Sequence, residues 1–274
     1  MKNLIKRVAG FLKRILAGAL KLTKLISKIL IIVICLIPIV VIPLIPSAVQ
    51  YVEEARYPED NFVKIYLTSM SDIEFSDTGM IEGGYPDVYE GQASGMAIAS
   101  SGDKTYVLTA DHFCENFEEM SITYNSLNLG SVLTIYDFQG NQWDAEIVMQ
   151  DSSRDLCLIE TNMPISREIS VADRMPDIGD KVYTIASPVG LGGNNAAPHF
   201  SGLFSGCDQF TCYFSIPAAP GSSGSLILND MGEIVGMTQM ASHYMQNIGM
   251  GVGAYSIRRF LTRAESELGI DLLK

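Results

Sequence analysis

Residues 220–237, PGSSGSLILNDMGEIVGM, divide into a turn bounded by Gly221 and Gly224, an apolar run Ser225–Leu228, a second turn of Asn, Asp and Gly, and a further apolar run that begins at Ile234. Runs this short, separated by turn residues, read as strands rather than helices. The same grammar continues outward in both directions. Upstream, the candidate strands are Phe62–Leu67, Gly95–Ser100, Thr105–Ala110, Ser121–Tyr124, Val132–Tyr136, Trp143–Met149, Leu156–Glu160, Lys181–Ala186, Leu203–Ser205 and Cys212–Ile216; downstream they are Ile234–Gln239 and Val252–Tyr255. Strands of β-branched and aromatic character recurring about every ten residues indicate an all-β sandwich or a pair of barrels. Only Ser256–Leu268 reads as a helix, with Ile257, Phe260, Leu261 and Leu268 at helical spacing.

The chain has 274 residues, 47% of them hydrophobic, which excludes disorder and collagen-like repeats. Its formal charge of −12 averages two segments of opposite sign. Residues 1–50 carry eight basic side chains and no acid, which leaves 11 basic and all 31 acidic side chains, −20, in the other 224 residues. Such an asymmetry assigns the two parts to different surroundings. Apolar residues recur at steps of three and four from Leu4 to Ile26 with the cations between them, so residues 1–28 read as a basic amphipathic segment. The following stretch Ile29–Pro46, ILIIVICLIPIVVIPLIP, has 18 residues and no charge. At about 1.5 Å rise per residue it reaches across the hydrocarbon of a bilayer. Residues 29–47 are therefore expected to be a transmembrane anchor, with Pro38 and Pro43 as tolerated kinks. Cations on the N-terminal flank and Glu53 and Glu54 on the other place residue 1 in the cytoplasm and the acidic part outside it. Two alternatives are a signal cleaved near Pro46-Ser47-Ala48, which would secrete the rest, and an interfacial helix that never spans. Residues 48–60 read as a polar stalk and 61–274 as one exported domain, with the lipid bilayer as partner through residues 1–47.

The reactive groups of that domain are few. Of three histidines, His112 follows the apolar strand that ends in Val107-Leu108-Thr109-Ala110, where a side chain is held rigidly yet reaches solvent. Asp155 abuts the apolar strand Leu156-Cys157-Leu158-Ile159, and an acid entering a core needs a partner. Ser223 stands in the turn between Gly221 and Gly224, where backbone free of Cβ restrictions lets consecutive amides point at one spot. Each alone is ordinary turn or strand-end chemistry. Together, in the order His, Asp, Ser, they supply a base, its orienting carboxylate, and a nucleophile beside an anion hole. His199 and His243 lack such contexts and are expected in surface or packing roles.

At these residues the chain resembles the trypsin/chymotrypsin-like serine peptidases, nearest in style to the HtrA (Deg) and glutamyl-endopeptidase branches. TADHFC (109–114) is similar to the family's TAAHC, DSSRDLCLIE (151–160) to its D-x-x-x-D-L-A-L-L, and PGSSGSLILNDMGEIVGM to its P-G-N-S-G-G-P-L…G-E-V-I-G-I. Residues 179–193 and 249–259 resemble the segments before the nucleophile loop and around the last strand and helix. The resemblance implies a double six-stranded antiparallel β-barrel with a C-terminal helix, a single protease domain without a PDZ domain. It implies a serine endopeptidase acting on protein or peptide substrates through an acyl-enzyme, with Ser223 as nucleophile, His112 as general base then acid, and Asp155 orienting the imidazole. The N–H groups of Gly221 and Ser223 would form the oxyanion hole. Two rival readings are an inactive protease-fold binding module and a membrane-active protein led by its basic N-terminus.

Departures from the family pattern matter. Ser225 and Leu226 stand where the commoner pattern has Gly and Pro. Ser222 replaces the Asp that in digestive zymogens pairs with a newly cut N-terminus, so activation by that ion pair is not expected. Asp111, beside the histidine, is expected to raise its affinity for a proton. The substrate-binding pocket would be shaped by Pro217, Ala218, Thr238, Gln239 and Met240. No acid is among them, which disfavours cleavage after Lys or Arg. Thr238 stands where the glutamyl branch has a His, which weakens a preference for Glu and leaves an apolar or small side chain.

Among five cysteines, Cys35 lies in the apolar run, and Cys157 is expected to act as a small hydrophobe in a buried strand. Cys114 matches a family cysteine whose usual upstream partner is absent. Cys207 and Cys212 flank four residues between two strands, so a disulfide closing a hairpin is expected in an oxidising compartment. No metal-ligand spacing or phosphate-binding loop is present in the sequence, and no cofactor, metal or nucleic acid is expected.

Overall fold

Strands that are apolar on both faces need cover on both faces, and the computed structural model supplies it with two closed barrels. The structure describes residues 58–75, 81–117, 131–242, 244, 245 and 247–273, together with Ser27. The first barrel consists of β1 (Phe62–Phe75), β2 (Ile81–Ser101), β3 (Lys104–Thr109), β4 (Ser131–Asp137), β5 (Gln142–Asp151) and β6 (Leu156–Thr161), in the spatial order β1-β2-β3-β6-β5-β4. The second consists of β7 (Lys181–Ile185), β8 (His199–Cys207), β9 (Cys212–Phe214), β10 (Leu226–Leu228), β11 (Ile234–Ala241) and β12 (Gly249–Gly253), in the order β10-β11-β12-β9-β8-β7. All their pairings are antiparallel.

Burial follows the strand period of two. In β3 and β6, Val107 and Ile159 point into the first barrel, with Val63, Ile65 and Ile135. Their neighbours Leu108 and Leu158 face the other way, into a seam shared with Leu226, Leu228, Ile234 and Met237 of the second barrel. Between Leu226 and Leu228, Ile227 points into the second barrel's interior beside Phe204, Phe214 and Val235. Thus β3, β6 and β10 are buried on both faces, which is why each carries an apolar run, Tyr106–Leu108, Leu156–Ile159 and Leu226–Leu228.

The C-terminal helix, Ala254–Leu268, places Ile257, Phe260, Leu261 and Ala264 on one stripe against the seam. It stops at Gly269, whose φ of 70° provides a left-handed cap. Tyr255, expected at a strand end, lies in its first turn. A larger difference concerns β1 and β2, which continue past Leu67 and begin before Gly95. Among the described residues, β1 beyond the pairing of Ser69 with Ser131 pairs only with β2.

The candidate strand Ser121–Tyr124 lies outside the described residues, as do the expected anchor 29–47, the amphipathic segment 1–28 except Ser27, and stalk residues 48–57. Among the described residues no helix is long and apolar enough to cross a membrane. Residues 58–60 are joined to the first barrel: Pro58 is buried, and Gln139 Nε2 donates to Asp60 Oδ1 at 2.8 Å.

Candidate active site

The doubly buried strands deliver the three motif residues to the seam. His112 lies in the first turn of a helical segment, 111–117, that follows β3, and Asp155 ends the turn that leads into β6. The His112 N–H donates to Asp155 Oδ1 at 2.7 Å, and its Nδ1 lies 2.9 Å from Oδ2 and 3.0 Å from Oδ1. Asp155 achieves this with φ at 53°, a left-handed conformation that Asp tolerates better than most residues. The hydrogen bond to Asp155 holds the imidazole above its ordinary pKa of 6.5 against the opposing effect of partial burial, and the charges of Asp155 and Asp111 act in the same direction. Asp111 was expected to do this. Its own surroundings are unusual, because it is 1% exposed and neither carboxylate oxygen has a hydrogen-bond partner among the described residues.

Ser223 occupies a turn closed by Ser222 N–H to Ala219 O at 2.9 Å and Ser225 N–H to Ser222 O at 3.1 Å. Both flanking glycines are required. Gly221 has φ 92° and Gly224 φ 85°. A Cβ on Gly221 would lie 2.5 Å from the Ser187 carbonyl oxygen, and one on Gly224 would collide with the Ser94 carbonyl and the Thr109 hydroxyl. Among the described residues, the N–H groups of Gly221 and Ser223 donate to no protein acceptor. The Pro220 carbonyl accepts the Val189 N–H at 2.6 Å. Since carbonyl and N–H point oppositely across a trans peptide, this contact turns the Gly221 N–H away from Val189.

The Ser223 hydroxyl donates to the main-chain carbonyl of Gln239 at 3.3 Å. It makes no hydrogen bond to His112 in this structure, so the structure pairs His112 with Asp155 and links Ser223 to them through Gln239. The Gln239 side chain, 9% exposed, donates from Nε2 to Arg154 O at 2.6 Å and Asp155 O at 2.8 Å. This side chain thus turns to the first barrel, away from Pro217, Ala218, Thr238 and Met240, with which it was expected to line the substrate pocket. A cavity of about 560 Å³ beside Ser223 is lined by Pro217, Ala218, Thr238 and Met240, and not by Gln239. Gln239 is the extra residue of a bulge in β11, where Thr238 pairs with Gly251 and Met240 with Met250, and its side chain turns to Arg154 and Asp155 of the first barrel. Among the described residues no charged side chain lines this cavity. A second cavity, of about 500 Å³, meets the same loop at Pro220 and Gly221.

Ser94, on β2, is a tie that the sequence reading missed. It is 0% exposed, and its Oγ accepts from Ser187 N–H at 3.0 Å and donates to Gly221 O at 2.7 Å. Its own N–H donates to Ser223 O at 2.9 Å. A lone Ser before a strand carries no sequence signal for this.

The expected Cys207–Cys212 disulfide is present. The readings of Cys157 as a free small hydrophobe and of Cys114 as partnerless are overturned, because these two form a disulfide with each other. A signal existed: each lies two residues after His112 or Asp155, so the two pairs share a separation of 43. His199 opens β8, with Nε2 3.9 Å from Glu59 Oε1, and His243 lies outside the described residues. Among the described residues no group of His, Cys, Asp and Glu is arranged to hold a metal ion.

A family whose description is Trypsin-like peptidase domain matches residues 93–237, a span that includes His112, Asp155 and Ser223. The chain is similar to the periplasmic pH-dependent serine endoprotease DegQ of Escherichia coli (strain K12), 29% identical over 157 residues, which covers 54% of this chain and 31% of that protein. It is similar to the periplasmic serine endoprotease DegP of the same organism, 28% identical over 169 residues, covering 58% and 32%. The match thus spans about a third of the length of these relatives. The crystal structure of the serine endoprotease from Yersinia pestis shares the fold, with a TM-score of 0.58 at 19% identity over 79% of this chain and 67% of that one.

Proposed function

The chain belongs to the trypsin-like peptidase domain family, and from that premise we propose that it is a serine endopeptidase in which Ser223 attacks, His112 carries the proton and Asp155 holds the imidazole. The observation that carries this reading is the two-point bond of His112 to Asp155, through N–H and Nδ1, at the seam where Ser223 meets the first barrel. With Nδ1–H directed at the carboxylate, Nε2 keeps its lone pair for the Ser223 proton. A rotation of the Ser223 hydroxyl from the Gln239 carbonyl toward Nε2 readies it for attack on a peptide carbonyl. The free N–H groups of Gly221 and Ser223 receive the developing oxyanion, each such donor contributing about 3 kcal/mol. His112 then gives the proton to the departing amine, and water repeats the sequence to release the acyl group.

The uncharged cavity beside Ser223 suits an apolar or small side chain before the cut, and the cavity at Gly221 takes the chain beyond it. Two disulfides suit an oxidising compartment, and the two relatives bear the word periplasmic in their names. The domain is therefore assigned to the extracytoplasmic side, tethered through residues 29–47 with residue 1 in the cytoplasm. A second reading, an inactive binding module, draws on the Ser223 hydroxyl bonding to Gln239 rather than His112. One experiment separates them: a fluorophosphonate probe labels the wild type and not Ser223→Ala. Absence of labelling in folded wild type, or equal labelling of both, refutes the peptidase reading.

A further inference from the structure

The ladder between β3 and β6 ends with the pair Thr109↔Cys157. Everything on the chain from Ala110 to residue 117, His112 included, lies beyond that last rung. A short helical turn in this position is free to swivel about its own axis unless it is tied on more than one side.

It is tied on two. Residues two apart on a helix point to nearly opposite sides, and His112 and Cys114 do so. The His112 side chain, 45% exposed, faces outward to Asp155, whereas Cys114 is 0% exposed and packs among Phe113, Leu133 and Ile159 inside the first barrel. Across from them, Asp155 and Cys157 flank the entry to β6 in the same way, one in the turn and one fully buried. The disulfide therefore joins the same two segments as the hydrogen-bonded pair, from the opposite side of the helical turn.

We propose that the Cys114–Cys157 disulfide is a positioning device that fixes the rotation of the 111–117 turn and so holds His112 against Asp155, an inference that rests on the peptidase reading above. Neither sulfur touches substrate; both act through the imidazole. Without the bond, the two cysteine positions remain small apolar residues in an apolar interior, and the barrel persists while the helical turn swivels.

The test is the full-length chain carrying Cys114→Ala/Cys157→Ala, with loss of the bond verified by mass. The expected result is a fall in kcat of about 10- to 100-fold, the scale on which a misplaced catalytic group acts, with KM within about twofold. The acid limb of the pH profile moves down as the Asp155 bond loosens, and so does the titration midpoint of the His112 imidazole followed by NMR. That titration needs no turnover. Failure of the wild type to take the fluorophosphonate probe would remove the peptidase reading, and the titration would still decide the coupling between the disulfide and His112. An unchanged midpoint and kcat, or a rise in KM at constant kcat, overturns the proposal. If the alanine pair does not fold, Cys114→Ala/Cys157→Val, which refills volume, takes its place. Failure of both to fold also overturns it, because the proposal requires the barrel to stand without the bond.

Discussion

Replacing Gln239 with Leu separates two roles that a residue near Ser223 can have. Leu keeps most of the volume but supplies no donor, so Arg154 O and Asp155 O lose the N–H groups now 2.6 and 2.8 Å away. A hydrogen bond removed with its buried partner left behind costs about 1–3 kcal/mol. Solvent reaching the Arg154 and Asp155 carbonyls would offset part of that, so the expected loss for the pair is about 2–4 kcal/mol. Asp155 feels this most, because its left-handed backbone, φ 53°, is held by its carboxylate contacts on one side and its carbonyl contact on the other. Loosening that turn displaces the carboxylate from His112, and kcat is expected to fall by about tenfold or more, each 1.4 kcal/mol of transition-state stabilisation being a factor of ten. The assay pairs urea denaturation with steady-state kinetics on a panel of peptides that vary the residue before the cut. A stability change below about 0.5 kcal/mol, within the range of surface substitutions, together with an altered preference among those peptides, would refute the reasoning and restore Gln239 to the pocket.

Two further outcomes are expected. Asp111→Ala removes a buried carboxylate whose oxygens have no partner among the described residues, so the unfolding free energy should rise by about 1–3 kcal/mol. The same change removes a negative charge that favours protonated His112. Because the base works when neutral, the acid limb of kcat/KM should move to lower pH, and destabilisation with an unmoved limb would contradict both statements. Ser94→Ala leaves the buried Ser187 N–H without its acceptor and Gly221 O without its donor, which should cost about 2–3 kcal/mol. Kinetically it should lower kcat more than it raises KM, and thermal unfolding beside kinetics checks both.

The residues that could be read from sequence are those where local and global demands agree. Strands β3, β6 and β10 are buried on both faces, so each carries a short apolar run, Tyr106–Leu108, Leu156–Ile159 and Leu226–Leu228, close to His112, Asp155 and Ser223. Gly221 and Gly224 are needed because backbone and side-chain atoms lie where their Cβ atoms would be. What escaped was information carried by direction or distance. Gln239 lies between two pocket residues in the chain, and a bulge at that point of β11, which no local residue type announces, sends it elsewhere. The extension of β1 and β2 past Leu67 pairs through the backbone with several register shifts, which no side-chain pattern announces. The partner of Cys114 was sought upstream on the strength of resemblance, although Cys157 repeats the spacing of the His–Asp pair.

Gln239 and Ser94 share a location. His112 and Asp155 belong to the first barrel and Ser223 to the second, so the placement of one barrel on the other is itself a coordinate of the proposed reaction. Apolar packing along the seam is non-directional and fixes proximity but not angle. Direction must come from hydrogen bonds across the seam, and the structure provides them on both sides of Ser223. Ser94 reaches from β2 to the carbonyls of Gly221 and Ser223. Gln239 reaches from β11 to those of Arg154 and Asp155. All four acceptors are main-chain atoms, present whatever side chains the loops carry. The specificity of the arrangement therefore resides in two donor residues outside the three motifs, and a motif search that finds His112, Asp155 and Ser223 passes over what aligns them.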